Sequence, residues 1–458
     1  MNDNSNPAGF GSWLGRHKFV WLLLLPLLVF LAVAAYWGMT EWNAGQENRR
    51  QFEQWAAAGI PYDNATLQQA YDSHTHPEGT SDWIQCIELT DWGYRAEAYK
   101  KLPYIGFEDK EPKNLVPGGT PADWPDEAWV GSFLVEMEPV IDLIEKASSH
   151  PTPVRFPIKF QGMNTLLPHV QEARNILRLL ALDCDYAYFN QDNQRAMRDL
   201  SLMKATIEAF DTQVCLVVEL VNIALRGMRR NAIRRTLTHC QWSAADLSSL
   251  RDSLARKEEI SARWQETMLH ERTFGLSSAN EPTEKLAQVT NAQPQLKLFT
   301  GPSEVKTLLK VYQRIIELPT GSDVSQWRKR SAALEEWVQT LASNSLAGML
   351  TPATAQVLEA EIRSEEVRRW TLTAIAIQQF KQQNGQWPKD LTALESVGLD
   401  YEDFSDTTNT VFGYEIDGDR VFLWKRPNEI TDNLRISKTR PLPDEKNKDL
   451  SDFVVELN

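Results

Sequence analysis

Asp72, His74, His76 and Glu78 stand at alternating positions and form the densest set of metal-capable side chains in this sequence. An extended segment would turn all four to one side, and imidazole with carboxylate suits zinc. Pro77 interrupts the run and its neighbours are polar. The residues therefore favour a solvated turn, remain only weak metal candidates, and imply no cofactor. His270–Glu271 begins like the zinc-protease pattern H-E-x-x-H, but Phe274 occupies the place of the second histidine. Glu271 and Arg272 are expected instead to make polar contacts between helices near a helix end.

The second group is ionic. Arg226, Arg229, Arg230, Arg234 and Arg235 make a basic cluster in which 226, 230 and 234 share a helical face. The expectation is a solvated face paired with nearby acids, with binding of an acidic partner or anionic polymer as the alternative. Glu359, Glu361, Glu365 and Glu366 alternate with Arg363, Arg368 and Arg369 at spacings that suit intrahelical ion pairs. Paired carboxylates doing general acid–base work would need a shared cleft, which spacing does not supply. Trp83, Trp92, Trp124 and Trp129 belong to an unusually large set of 16 tryptophans. Core packing explains them first, and a stacking platform for a sugar is the sharper alternative. No G-x-S-x-G, Walker A or Rossmann glycine pattern occurs. The residues name no catalytic group, and the sequence leans away from an enzyme.

The elements that position these residues begin with an anchor. Phe19–Met39 carries no charged side chain, and at 1.5 Å per residue it reaches about 31 Å, the hydrocarbon thickness of a bilayer. It is longer than the apolar stretch of a cleaved signal peptide. Tyr36, Trp37 and Trp42 follow as an interfacial belt, with Trp13 and Trp21 on the other side. Pro26 is tolerable in a membrane helix. Arg16 and Lys18 abut the span, whereas Arg49 and Arg50 follow only after Glu41 and Glu47. That proximity places the N-terminus inside and the bulk of the chain outside the cytoplasm. The formal charge of −14 argues against nucleic acid as a partner and against a polybasic lipid-hugging surface.

The rest reads as mostly helical. The membrane helix is expected to continue as a stalk until Gly59 and Pro61 end it. Residues 60–128 are Pro-rich and loop-like, with a short helix at 65–73. Helices are expected at 128–149, 166–190, 195–210 and 214–237, with Val214, Val217, Val218, Val221, Leu225 and Met228 on the last. Ser243 with Asp246, and Trp242 with Leu247, mark the start of a further helix running through Leu254 to about Phe274. Three more should cover 302–317, 323–345 and 353–383, the last ending at Asn384–Gly385. Alternation at Phe412, Tyr414 and Ile416, a turn at Asp417–Asp419, then Val421 and Leu423, predicts a hairpin. Residues 453–457 could add a short strand. Short breaks imply antiparallel neighbours. The fold class is thus mainly α: one N-terminal transmembrane helix, an antiparallel helical ectodomain and a small C-terminal α+β hairpin unit. The division is 1–18 cytoplasmic, 19–39 span, 40–128 stalk and Pro/Trp-rich segment, 129–300 helical domain, 301–385 helical continuation, and 386–458 a β-containing unit with its tail. Cys86, Cys184, Cys215 and Cys240 form no C-x-x-C. Cys184 and Cys215, in apolar helical stretches, read as buried small hydrophobes, with one oxidised pair among the four open to an oxidising compartment. "ALDCDYAYFNQDNQRAMRDL" looks like one tetratricopeptide-like helix pair, but no repeat follows it.

Several segments carry a family resemblance by their order: the span, "WAAAGIPYDNATLQQA", "LRLLALDCDYAYFNQDNQRAMRDL", "LHERTF", "LAGMLTP" and "TAIAIQQFKQQNGQWPKDLTAL". Together they resemble a family of single-span membrane proteins abundant in planctomycete-like bacteria. The resemblance brings no activity with it, so no catalytic residue is carried over. Phe380, Gly385, Trp387 and Pro388 also resemble the end of the pseudopilin helix of type II secretion, where a helix leads into a small sheet. There the helix begins as the membrane segment. Here the span lies far upstream, so the likeness implies a helix–turn–strand piece rather than filament assembly. The expectation is a membrane-anchored envelope protein with a structural or interaction role. It would sit in a bacterial inner membrane as a single-pass protein with a periplasmic ectodomain. Its partners would be the lipid bilayer through residues 19–39 and an envelope protein or glycan. The alternatives are a glycan- or ligand-binding module using residues 83–129, or an envelope enzyme with a noncanonical site.

Overall fold

The apolar run does not stop at the expected membrane boundary. Helix α1 spans Lys18–Ala57 without a break, Pro26 included. This is seen in a computed structural model that describes residues 18–91, 99, 102–105, 124, 127–162, 164–255, 260–279, 301–320, 324–341, 347, 354–424 and 454–457. From Leu25 to Met39 the apolar side chains are exposed, Phe30 at 68%. The helix is long and apolar enough to cross a membrane. Gly59, at φ +69°, ends it. Before that, α1 docks on α10 (Pro302–Ile316). Asn48 donates to the Pro302 carbonyl at 2.8 Å, Glu41 accepts from the Ser303 backbone at 3.0 Å and from its hydroxyl, and Lys306 pairs with Glu47. Glu41 thus supplies acceptors to the otherwise unsatisfied N–H groups at the start of α10.

The body is built from helices α2 (Asn64–His74), α3 (Thr80–Leu89), α4 (Glu127–Ser148), α5 (Pro168–Phe189), α6 (Asn193–Phe210), α7 (Leu216–His239), α8 (Ala244–Ser253), α9 (Ile260–Ala279), α11 (Val324–Thr340) and α12 (Thr354–Asn384). Local chemistry sets their ends. Asp63 and Thr66 form a reciprocal capping box on α2, and Ser243 and Asp246 form the expected one on α8. The break between α5 and α6 is a tight turn with Gln191 at φ +59° and Asp192 accepting from Arg195 N. Gly385 ends α12 at φ +70°. Trp387 then folds back over Lys381, 3.8 Å from the ring centroid, and donates to the Asp419 carbonyl. The hairpin follows as β1 (Gly413–Asp417) and β2 (Arg420–Trp424), closed by Gly418–Asp419. The backbone of β3 (Val454–Leu457) pairs antiparallel with β2.

Two expectations need correction. The helix from Ser243 to Phe274 is two helices, because α8 stops at Ser253 with Leu254 as its cap. The Leu254 carbonyl accepts from Arg368. Val217 is exposed, not part of the core face of α7.

The apolar interior falls into two clusters. The larger runs through α2–α8, the C-terminal half of α12 and the hairpin, around Trp83, Ile141, Leu180, Leu225 and Trp370. The smaller lies around Trp264, Leu308, Tyr312, Trp327 and Ile362, with Phe52 and Trp55 of α1 packed against it. Helices α7 and α12 belong to both: Leu216 and Ile362 face the smaller cluster, Val218 and Trp370 the larger. Where these two helices pass from one cluster to the other, their buried residues turn polar.

Candidate functional site

The alternating set near residue 75 does not converge. Asp72 and His74 lie on helix α2, while His76 is in a short parallel bridge to Val154. Helical geometry removes the alternation that would have aligned them. His74 Nδ1 lies 2.8 Å from the Ala70 carbonyl, Asp72 faces Arg155, and His76 and Glu78 are exposed. Among the described residues no group of three or more His, Cys, Asp or Glu side chains is placed to hold a metal. Glu271 accepts from the Leu216 N–H at 3.0 Å and so caps α7. Arg272 stacks 3.6 Å over Trp55 and donates to the Pro61 carbonyl. "LHERTF" thus ties α9 to its neighbours, in mid-helix rather than near an end. Trp83 and Trp124 are buried against Phe210 and against Tyr186 and Phe189, Trp129 is at the surface, and Trp92 lies outside the described residues. The four cysteines are free thiols, and burial pushes Cys86, Cys215 and Cys240 up to about 12.

The arginine cluster is not a solvated face. Helix α7 is central, and its arginines point in different directions. Arg234 stacks on Trp370, 4.8 Å from the ring centroid, and Arg235 pairs with Asp185 at 2.9 Å. Arg226, Arg229 and Arg230 turn toward the polar layer between the two clusters. There Arg226 Nη2 donates to Glu219 at 2.7 Å and to Glu361 at 2.8 Å. Arg263 of α9 grips Asp211 with two nitrogens and Glu219 with two. The Glu219 and Glu361 carboxyls share the Arg226 donor, and each acts on the titration of the other, so that one of the two favours the protonated form. Burial pushes Glu361 up to about 8, against the pull of Arg226 and with the push of Glu219's charge. Glu219 is equally buried, but Arg263 and Arg226 outweigh that and hold it well below the usual carboxylate range. The pair therefore has one charged and one protonated member near neutrality.

Glu361 of this pair, though not Glu219, lines a cleft of about 500 Å³ formed from α6, α7, α8, α9 and α12, within the size range of small-molecule sites. Glu361, Ser364, Glu365 and Arg368 come from α12, and Arg226, Arg229 and Arg230 from α7. Most of the carboxylates at the cleft are engaged: Glu365 by Arg368 and Arg369, Asp211 by Arg263, Glu208 by Lys204, and Glu361 by Arg226. Arg229 and Arg230 have neutral partners. Arg229 donates to the Leu200 carbonyl and the Ser253 hydroxyl, and Arg230 to the Ser364 carbonyl and hydroxyl. Burial pushes Arg229 down to about 10 and Arg230 to about 9, the latter also repelled by Arg226.

A second carboxyl pair sits in the α5–α6 hairpin. Asp183 and Asp199 are both fully buried. Arg195 donates to Asp183 at 2.5 Å and Arg198 to its other oxygen at 2.9 Å. Burial, then the charge of Asp183, raises Asp199 well above the usual range. Neither aspartate lines the cleft.

Sequence reasoning missed Glu219, Arg263, Asp211 and Ser364. The available signal was Glu219 itself, a lone acid inside the apolar run Leu216–Leu225, since a buried charge requires a partner. Glu359 and Glu361 pair across helices, to Arg328 and Arg226, and Glu365 makes the expected intrahelical pairs. Comparison with protein-family models, curated proteins and solved structures finds no match.

Proposed function

We propose that this chain is a membrane-anchored interaction protein of the bacterial envelope, held close to the bilayer and exposing its helical body outside the cytoplasm. The observation that carries the reading is the continuity of α1. Its exposed apolar flank ends at Met39, and two residues later Glu41 is already bonded to Ser303 of the body. No flexible linker separates anchor from body, so a partner would meet a surface fixed relative to the membrane. The same reading places the chain with single-span proteins of the planctomycete-like type. The test is fractionation of the full chain. Wild type should resist alkaline extraction and come away only in detergent, whereas Leu28→Arg with Leu31→Arg should move into the soluble fraction. A reporter fused after Asn458 should be active only outside the cytoplasm. Soluble wild-type protein would sink the anchor, and a cytoplasmic reporter would sink the topology.

Glu361, at the cleft and coupled to Glu219 behind it, favours a second reading, an envelope enzyme using Glu361 for proton transfer. Turnover of chromogenic ester, glycoside or phosphoester probes by wild type, lost in Glu361→Gln, would establish it. Absence of turnover supports the interaction role.

A further inference from the structure

Arg229 and Arg230 present an electrostatic imbalance that the fold leaves open. Both are more than nine-tenths buried, where an uncompensated charge is costly. Among the described residues neither makes a hydrogen-bonded ion pair. Arg229 uses Nε and Nη2, leaving Nη1 without a partner. Arg230 uses only Nη1, leaving Nε and Nη2. None of these three nitrogens is sealed off from solvent, and both residues line the cleft. The acids that act on them are shared with other bases: Glu208 with Lys204, Glu361 with Arg226, and Glu365 with Arg368 and Arg369; Asp252 lines the cleft as well. Two buried guanidinium groups thus line one cavity from consecutive residues, each bonded to neutral partners and each with donor nitrogens to spare.

We propose that the cleft between α6, α7, α8, α9 and α12 binds a phosphate group, held by Arg229 and Arg230 and flanked by Arg368 and Lys204. A phosphate monoester carries close to two negative charges, which suits two buried guanidinium groups whose hydrogen bonds go only to neutral partners. Its tetrahedral oxygens can accept from two forks at once, which a planar carboxylate does less well. The cleft has room for more than the anion, so the phosphate is expected to be part of a small ligand or a lipid headgroup. The Ser364 and Ser253 hydroxyls already orient the two side chains, so the site is preformed and the ordering cost of binding is low. This goes beyond the proposed function, because binding does not depend on where the chain resides.

The test is calorimetric titration of the detergent-solubilised full chain with inorganic phosphate, glycerol 3-phosphate and nanodiscs containing phosphatidic acid, with acetate and chloride as controls. The proposal expects saturable binding of at least one phosphate form and none of the controls. The arm with the lowest Kd identifies the source. Arg230→Gln should weaken binding at least tenfold, since it removes a charge-assisted bidentate contact of roughly 1.5–3 kcal/mol. The exposed control Arg420→Gln should leave it unchanged. If Arg230→Gln does not fold, Arg229→Lys and Arg230→Lys keep the charge but lose the fork, and each should still weaken binding. Absence of saturable binding in all three arms would overturn the proposal, and so would a Kd unaffected by every folded variant at 229 and 230. Both outcomes are independent of the fractionation result for the membrane anchor.

Discussion

The two buried carboxyl pairs are built from the same parts and do different things. Asp183–Asp199 and Glu219–Glu361 each place two acids against each other under two arginines. In the first, all four residues belong to one helical hairpin, and the arginine partners are about a quarter exposed. In the second, the acids come from α7 and α12, and Arg263 from α9. The first pair stitches neighbours together. The second joins the two apolar clusters and lies beside a cavity at which two further arginines have only neutral hydrogen-bond partners. A buried ionic network is therefore a weak sign of function by itself. The imbalance and the adjoining space are what distinguish one pair from the other.

The comparison can be broken by mutation. Arg263→Ala should be the most damaging change, about 3–5 kcal/mol, because Glu219 and Asp211 lose their shared partner inside the junction. Urea unfolding of the solubilised chain would measure it. Asp183→Asn should cost less, about 1.5–3 kcal/mol, since Arg195 and Arg198 can turn to water and Asp199 loses its repelling neighbour. Equal losses, or the reverse order, would mean that the hairpin pair rather than the junction holds the body together.

The pH dependence sharpens the same contrast. Glu361 is raised from 4.5 to about 8 in the fold, so the folded chain holds a proton that the unfolded chain releases. Its contribution is fully present below about pH 4.5 and is lost as pH rises through about 8. His169 has the opposite sign. It is stacked on Phe156 at 4.3 Å, and burial lowers it from 6.5 to about 4. Its contribution is present above pH 6.5 and is lost as pH falls through about 4. Melting temperature should therefore decline on both sides of a mildly acidic maximum. Glu361→Gln should flatten the alkaline limb and leave the acid limb intact, and an unchanged alkaline limb would contradict the proton held by Glu361. The smallest effect sets the scale: Gly385→Ala, at φ +70° and remote from both pairs, should cost about 1 kcal/mol.

How far these features were legible in the sequence depended on chain separation. Gly59, the Ser243–Asp246 box, Gly385 with Trp387, and the hairpin at Gly418 are local devices, and the chain ends or turns at each of them. The long-range contacts were not legible. Nothing near Arg263 announces Glu219, and the stop after Ser253 has no glycine or proline to mark it. The partner found there is Arg368, more than a hundred residues away, which donates to the Leu254 carbonyl. The basic run on α7 was visible as composition, but only the packing of α12 against it shows which arginines are neutralised and which are not.

One measurement tests the contrast most directly: the shift in melting temperature on adding inorganic phosphate or glycerol 3-phosphate to wild type, Arg195→Gln and Arg230→Gln, side by side in detergent. The account predicts a ligand-dependent rise in wild type and in Arg195→Gln, and none in Arg230→Gln. An equal rise in all three, or a rise lost only in Arg195→Gln, would contradict it.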